Sequence, residues 1–200
     1  MSSDPKGIGL LGGSFDPVHN GHIAICRSYL NSKYIEKLYV ILTPDPPHKE
    51  DRELTEFSHR FKMLNLALNG IENLEVSGVE MDLPTPSYTV NTVKYFRKEF
   101  PDNDLYLCIG EDSYAQFTDW YHWQEIIEHC TLLVARRPKA GEEDLPEKLL
   151  RRARFIEHDE IGISSSDIRK RIKNGEEVEE FLPESVLGYI RKKQLYRNKN

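Results

Sequence analysis

The chain has 200 residues, 30% of them charged, and a net charge of −6. That acidic balance argues against generic nucleic-acid binding, which calls for a basic domain, but leaves room for a small anion in a locally positive pocket. Three cysteines with no CxxC pair exclude a disulfide framework and point to buried thiols in a reducing compartment. No signal peptide and no apolar run of about 18 residues is visible, so a soluble, cytoplasmic protein without a membrane partner is expected.

Apolar runs alternate with stretches of helical period. GIGLLGG (7–13) is a predicted strand ending in glycines, HIAICRSYLN (22–31) a helix, and KLYVILT (37–43) a second strand. FSHRFKMLNLALNG (57–70) is helical and stops on Asn-Gly; LEVSGVEM (74–81) is a third strand. YTVNTVKYFRKEF (88–100) is a helix ended by Pro101, followed by strand DLYLCIG (104–110), helix WQEIIEHC (123–130) and strand TLLVAR (131–136). RFIEHD (154–159) completes six strands, and SSDIRKRIKNG (165–175) and ESVLGYIRKK (184–193) are helices. Pro138–Pro146 is a candidate mobile loop and Arg191–Asn200 a polar tail. This alternation predicts a Rossmann-like α/β fold, a doubly wound parallel sheet with helices on both faces. One domain over 1–200 is expected, its helical part at about 164–195 packed on the sheet. The segments after strands one, two, four and five should share one edge, where open sheets bind ligands.

Gly7-Ile-Gly9-Leu-Leu-Gly12 matches the dinucleotide pattern GxGxxG, but these residues are themselves the strand, and position 32 is Ser where an acid is required. A Gly-Lys dipeptide, needed for a Walker A loop, does not occur. The stretch GGSFDPVHNGH (12–22) is more informative. Gly12 and Gly13 can adopt positive φ and admit a ligand to the backbone. The amides of Gly13, Ser14 and Phe15 then form a candidate anion nest. Asn20 is a candidate cap for the helix behind it. His19 and His22, three apart, can face one side. Taken alone, HNGH also fits an ordinary surface turn. A zinc pair would need further ligands, and no metal spacing connects His48, His59 or Cys26 to it. ISSSDIRKRI (163–172) repeats the logic: Ser164 or Ser165 caps a helix, leaving hydroxyls, first-turn amides and Arg169 for an anion.

These two stretches, in this order, resemble the GxFDP…HxGH and ISSxxIR signatures of the nucleotidyltransferase superfamily. PPHK (46–49), FSHRFKML (57–64), PSYTVNT (86–92), IGEDSYAQFTDWYHWQEI (109–126) and VARRP (134–138) narrow the resemblance to bacterial nicotinate-nucleotide adenylyltransferases, over roughly residues 8 to 190. The resemblance implies transfer of the adenylyl group of ATP to nicotinate mononucleotide, with Mg²⁺ accompanying the ATP phosphates. It implies that His19 and His22 hold the phosphates and the charge developing at the α-phosphorus, and that Ser165, Ser166 and Arg169 bind the β,γ end. Gly12, Gly13, Ser14 and Phe15 would line the nucleotide, Gly110 and Asp112 the ribose, and Arg136 the adenine, chiefly through its backbone. Lys49 would meet the mononucleotide phosphate. Thr89, Trp120 and Tyr121 would form the pyridine pocket. His59 and Arg60 would support the neighbouring loop. An adenylyltransferase for nicotinamide mononucleotide or another phosphate substrate, and a nucleotide-binding module without turnover, stay open as alternatives, as does a homo-oligomer. The chain departs from the family pattern at Leu42-Thr43-Pro44-Asp45, where the proline is shifted and Asp45 adds a negative charge.

Overall fold

The computed structural model describes residues 7–46, 54–136, 146–159 and 161–197. Six strands form one all-parallel sheet: β1 (Gly7–Gly13), β2 (Lys37–Leu42), β3 (Leu74–Ser77), β4 (Asp104–Gly110), β5 (Thr131–Arg136) and β6 (Ala153–Glu157), in the order β3-β2-β1-β4-β5-β6. The doubly wound expectation holds. The order reverses between β1 and β4, so the switch point lies at the carboxyl ends of those two strands.

Strand side chains alternate between two cores. Leu11, Leu38, Val40, Leu42, Cys108 and Leu133 face one. It is covered by α1 (Asn20–Asn31), α2 (Phe57–Leu68), α7 (Ser165–Asn174) and α8 (Glu184–Lys193). Leu10, Ile41, Leu107, Ile109 and Val134 face the other. There α3 (Thr89–Glu99), α4 (Glu111–Ala115), α5 (Trp123–His129) and α6 (Glu147–Arg151) contribute. Period-two alternation of large apolar residues is what a sheet buried on both faces requires. The GxGxxG glycines are packing residues: a Cβ on Gly7 would stand 2.0 Å from the Tyr34 carbonyl, and one on Gly9 2.6 Å from Ile35. Cys26, Cys108 and Cys130 are buried free thiols, and burial pushes Cys26 and Cys130 up to about 12.

Three expectations are corrected. The third strand ends at Ser77, because 79–82 turn into a 3₁₀ segment that buries Glu80 against Thr92. The tail past α8 is not merely polar surface, since Leu195 and Tyr196 pack against the first core. The short helices α4 and α6 were not foreseen; five residues each are too few to show a period. The candidate loop at 138–146 lies outside the described residues except for Pro146. No helix among the described residues is long and apolar enough to cross a membrane.

Candidate active site

The carboxyl edge of the sheet carries three adjoining cavities. One, of about 430 Å³, is lined by Gly13, Ser14, Phe15, His19, His22 and the 163–166 stretch with Arg169. A second, of about 240 Å³, has His19, His22, Gly110, Glu111, Asp112 and Arg136 among its walls. The third, of about 320 Å³, includes Gly12, Gly13, Ser14, Thr89, Trp120 and Tyr121. They share residues pairwise. Both histidines border the first and second, Gly110 and Ser113 the second and third, and Gly13 and Ser14 the first and third. The result is one three-lobed trough over the switch point.

Its glycines act by lacking a side chain. A Cβ on Gly12 or Gly110 would meet nothing within 4 Å, so each leaves open space where a ligand can approach the backbone. Neither Gly12 nor Gly13 has positive φ; the left-handed residue is Phe15, at φ 42°. Its ring is buried in the first core and meets His22 edge-on at 4.9 Å. Phe15 therefore shapes the lobe from beneath and offers a ligand its backbone.

His19, not Asn20, is the N-cap of α1. Asn20 is the first helical residue and donates its side-chain amide to the Glu180 carbonyl at 2.9 Å. The two imidazoles lie 3.8 Å apart, tilted by 36°. His22 Nδ1 accepts the His19 backbone N–H at 3.2 Å. That bond leaves the proton of a neutral His22 on Nε2, so the ring remains a donor without being charged. His19 is only 6% exposed, and burial lowers its value from 6.5 to about 4. It is neutral at pH 7, and its Nδ1 is buried without a partner. Gly21 permits this pose, since a Cβ there would stand 3.0 Å from the His19 ring.

At the start of α7, Ser164 is the cap. Its Oγ accepts the Asp167 N–H at 3.1 Å, and the Asp167 carboxylate accepts the Ser164 N–H at 3.2 Å, a reciprocal capping box. This frees Ser165 and Ser166 from capping. Ser165 Oγ donates to the Pro17 carbonyl at 2.9 Å. Arg169 begins the second turn of α7, donating to the Asp16 carbonyl at 2.5 Å and to Ser166 Oγ at 2.8 Å. Segments from opposite ends of the chain thus converge on one lobe.

Below them lies Arg60, only 1% exposed. Its guanidinium donates to the carbonyls of Thr55 (2.7 Å), Ser14 (2.9 Å), Thr43 (2.8 Å) and Pro44 (3.3 Å). It ties the loop after β1 to the loop after β2, and a planar fork of five donors suits that task. His59 Nδ1 is 2.9 Å from the Tyr189 hydroxyl. Arg60 supports the loops as expected, whereas His59 joins α2 to α8 instead.

In the third lobe Thr89 opens α3, Tyr121 stacks on Tyr88 at 4.3 Å, and Trp120 packs on Phe117 at 5.1 Å. Glu80 borders this lobe, is buried, and accepts the Thr92 hydroxyl at 2.6 Å. Burial raises its carboxyl above the ordinary value, opposed by Thr92 and by the nearby Thr43 and Ser87 hydroxyls.

The matches to known proteins agree with this geometry. Residues 10–171 match the cytidylyltransferase-like family. The probable nicotinate-nucleotide adenylyltransferase of Desulfitobacterium hafniense is 34% identical over 98% of this chain and 99% of its own. The protein of that name from Christiangramia forsetii is 34% identical over 95% and 98%. The chain is a member of the nicotinate-nucleotide adenylyltransferase family. The fold of this adenylyltransferase also matches the nicotinic acid mononucleotide adenylyltransferase of Plasmodium falciparum, solved with APC, at a TM-score of 0.74, with 22% identity over 95% of this chain and 96% of that one.

The residues expected from the family pattern gather in the trough, with two qualifications. Lys49 lies outside the described residues. Arg136 lines the second lobe, but its carbonyl already accepts the His158 N–H at 3.1 Å and its guanidinium stands 4.7 Å over the Phe155 ring. Sequence reasoning missed Glu80, Ser113 and His158. Glu80 and His158 stand within the predicted strands 74–81 and 154–159 among other polar residues, so nothing in the spacing marks them.

Proposed function

We propose that this adenylyltransferase joins the adenylyl group of ATP to nicotinate mononucleotide, releasing pyrophosphate and forming nicotinate adenine dinucleotide. The observation that carries the reading is the continuity of three lobes at the switch point, with both histidines common to two of them. The lobe of His19, His22, Ser165, Ser166 and Arg169 suits a triphosphate. The lobe of Gly110, Asp112 and Arg136 suits the adenosine, with the Asp112 carboxylate able to accept paired ribose hydroxyls. The lobe of Thr89, Trp120 and Tyr121 suits the pyridine, with the first amides of α3 available to a carboxylate. The named relatives and a Plasmodium falciparum neighbour solved with NaAD support the same assignment.

The chemistry asks little of the protein beyond placement. The phosphate of the mononucleotide is already an anion, so it attacks the α-phosphorus without a strong general base. Positioning and charge stabilisation carry the rate. The Nε2–H of His22 donates to the charge that develops during transfer. Arg169, fixed on the Asp16 carbonyl and Ser166, faces the departing pyrophosphate. The donors of this lobe are imidazole, hydroxyl, guanidinium and amide, which address phosphate oxygens. Mg²⁺ bound to those oxygens would keep water as its other ligands and add charge neutralisation.

The test is pyrophosphate release from ATP with nicotinate mononucleotide, nicotinamide mononucleotide and phosphopantetheine as separate acceptors. Turnover with the first is expected. Turnover with phosphopantetheine alone overturns the substrate, and tight ATP binding with no product from any acceptor overturns the enzyme.

A further inference from the structure

Past α8 the chain turns back toward the phosphate lobe. Gln194 is left-handed at φ 52° and ends the helix; Leu195 N–H donates to the Ile190 carbonyl at 3.1 Å; Tyr196 is left-handed again at φ 64°. Two such residues within three positions are uncommon outside glycine and need contacts to hold them. The contacts are present. Leu195 and Tyr196 pack on the core, and the Tyr196 hydroxyl donates to Asp16 Oδ1 at 2.7 Å. The other carboxylate oxygen accepts the Thr55 N–H at 3.4 Å. Asp16 is only 1% exposed. A buried carboxylate is costly unless hydrogen-bonded, so these donors govern where it sits.

The main chain at the same residue holds side chains of the lobe. The Asp16 carbonyl accepts Arg169, and the next carbonyl, of Pro17, accepts Ser165. We infer that Tyr196 is a positioning residue for adenylyl transfer: by fixing the Asp16 carboxylate it fixes the two carbonyls that set Arg169 and Ser165 against the triphosphate. Burial, and then the charge of Asp16, raise the phenol well above its ordinary value, so Tyr196 stays protonated and remains a donor. Tyr196 lines none of the three lobes, so it acts through Asp16 and not on substrate.

The inference rests on the function proposed above, and the two fail differently. A wild-type protein that releases no pyrophosphate from ATP and nicotinate mononucleotide sinks both. The inference alone is tested by Tyr196→Phe, which keeps the ring and removes the donor. Expected is a loss of about tenfold in kcat/KM for ATP, with KM for nicotinate mononucleotide within about twofold. In an Arg169→Ala background the same change should cost clearly less than tenfold, because the part carried by the Asp16 carbonyl has lost the side chain it positions and only the Ser165 contact remains. An equal loss in both backgrounds, or unchanged ATP parameters, overturns it. Should Y196F lose its far-UV circular dichroism signal, truncation after Leu195 is the second variant, with the same expectations. Loss of fold in both makes Tyr196 a core residue and overturns the inference.

Discussion

The phosphate lobe and the acceptor lobe sit either side of the β1–β4 junction and are assembled differently. The phosphate lobe is joined by bonds between residues 148 and 153 positions apart, Ser165 to Pro17 and Arg169 to Asp16. Its side chains grip backbone carbonyls, so its geometry belongs to the whole fold. The acceptor lobe takes Glu80, Ser87, Tyr88, Thr89, Thr92, Trp120 and Tyr121 from the middle of the chain, beside the strand ends. The two also bury opposite kinds of ionisable group: a histidine pushed down to about 4 and a carboxyl pushed up. The contrast suggests that the first lobe fixes the reaction and the second selects the acceptor, so substitutions in the two should separate kcat from acceptor KM.

The largest effect belongs to His22. His22→Ala should lower kcat by about 10²–10³-fold, the scale for losing one preorganised transition-state donor. The acceptor KM and the melting temperature should change little. Single-turnover kinetics with saturating ATP check this; unchanged turnover would break the division between the lobes.

Next is Arg60, which shows that the division depends on a shared support. Arg60→Met removes the donors to four buried or half-buried carbonyls and should destabilise the fold by about 3 kcal/mol. Urea unfolding measures that. Because Arg60 joins the Ser14 and Thr43 loops, the surviving folded fraction should show raised KM for both substrates, unlike any change confined to one lobe.

The framework of this arrangement could be read from the chain, and the joints could not. Continuous apolar runs such as KLYVIL and TLLVAR gave the strands, since burial on both faces leaves no other pattern. HNGH and SSSDIR marked the two helix starts because capping chemistry is local. Arg60 was readable only as a helix residue with a supporting role; its four carbonyl acceptors come from two loops, those after β1 and β2, whose approach no spacing encodes. Tyr196 stood in a polar tail, and its partner Asp16 lies 180 residues away. Glu80 stood inside the run read as the third strand, whereas a 3₁₀ turn carried it inward.

The buried titrating groups give the two lobes opposite pH signatures. His19 has a folded value of about 4 against 6.5, so the unfolded chain binds more protons below pH 6.5. Its contribution is complete above about 6.5 and is lost as pH falls toward 4, to a limit of about 3 kcal/mol. His19→Gln should flatten the acid limb of a stability–pH profile measured without ligand. Glu80 has the reverse sign: its carboxyl is raised, so its contribution is present below the ordinary carboxylate value and is lost as pH rises above it, through the raised folded value. ATP should reverse the His19 penalty, because phosphate charge favours the imidazolium. Calorimetry in buffers of different ionisation enthalpy would then show proton uptake on ATP binding near pH 6.

The smallest effect, and the sharpest for selectivity, is at Tyr121. Its side chain is 53% exposed and rests on Tyr88, so the core does not depend on it. Removing one aromatic surface from a stack costs about 1 kcal/mol, or roughly fivefold in affinity. Tyr121→Ala should therefore raise KM for nicotinate mononucleotide about fivefold, leaving ATP KM, kcat and melting temperature within error. A matching rise in ATP KM would mean that the acceptor lobe communicates with the phosphate lobe across Gly13 and Ser14, the residues they share. A change in acceptor KM alone would show that the β1–β4 junction insulates one substrate from the other, as its side-chain-free glycines allow.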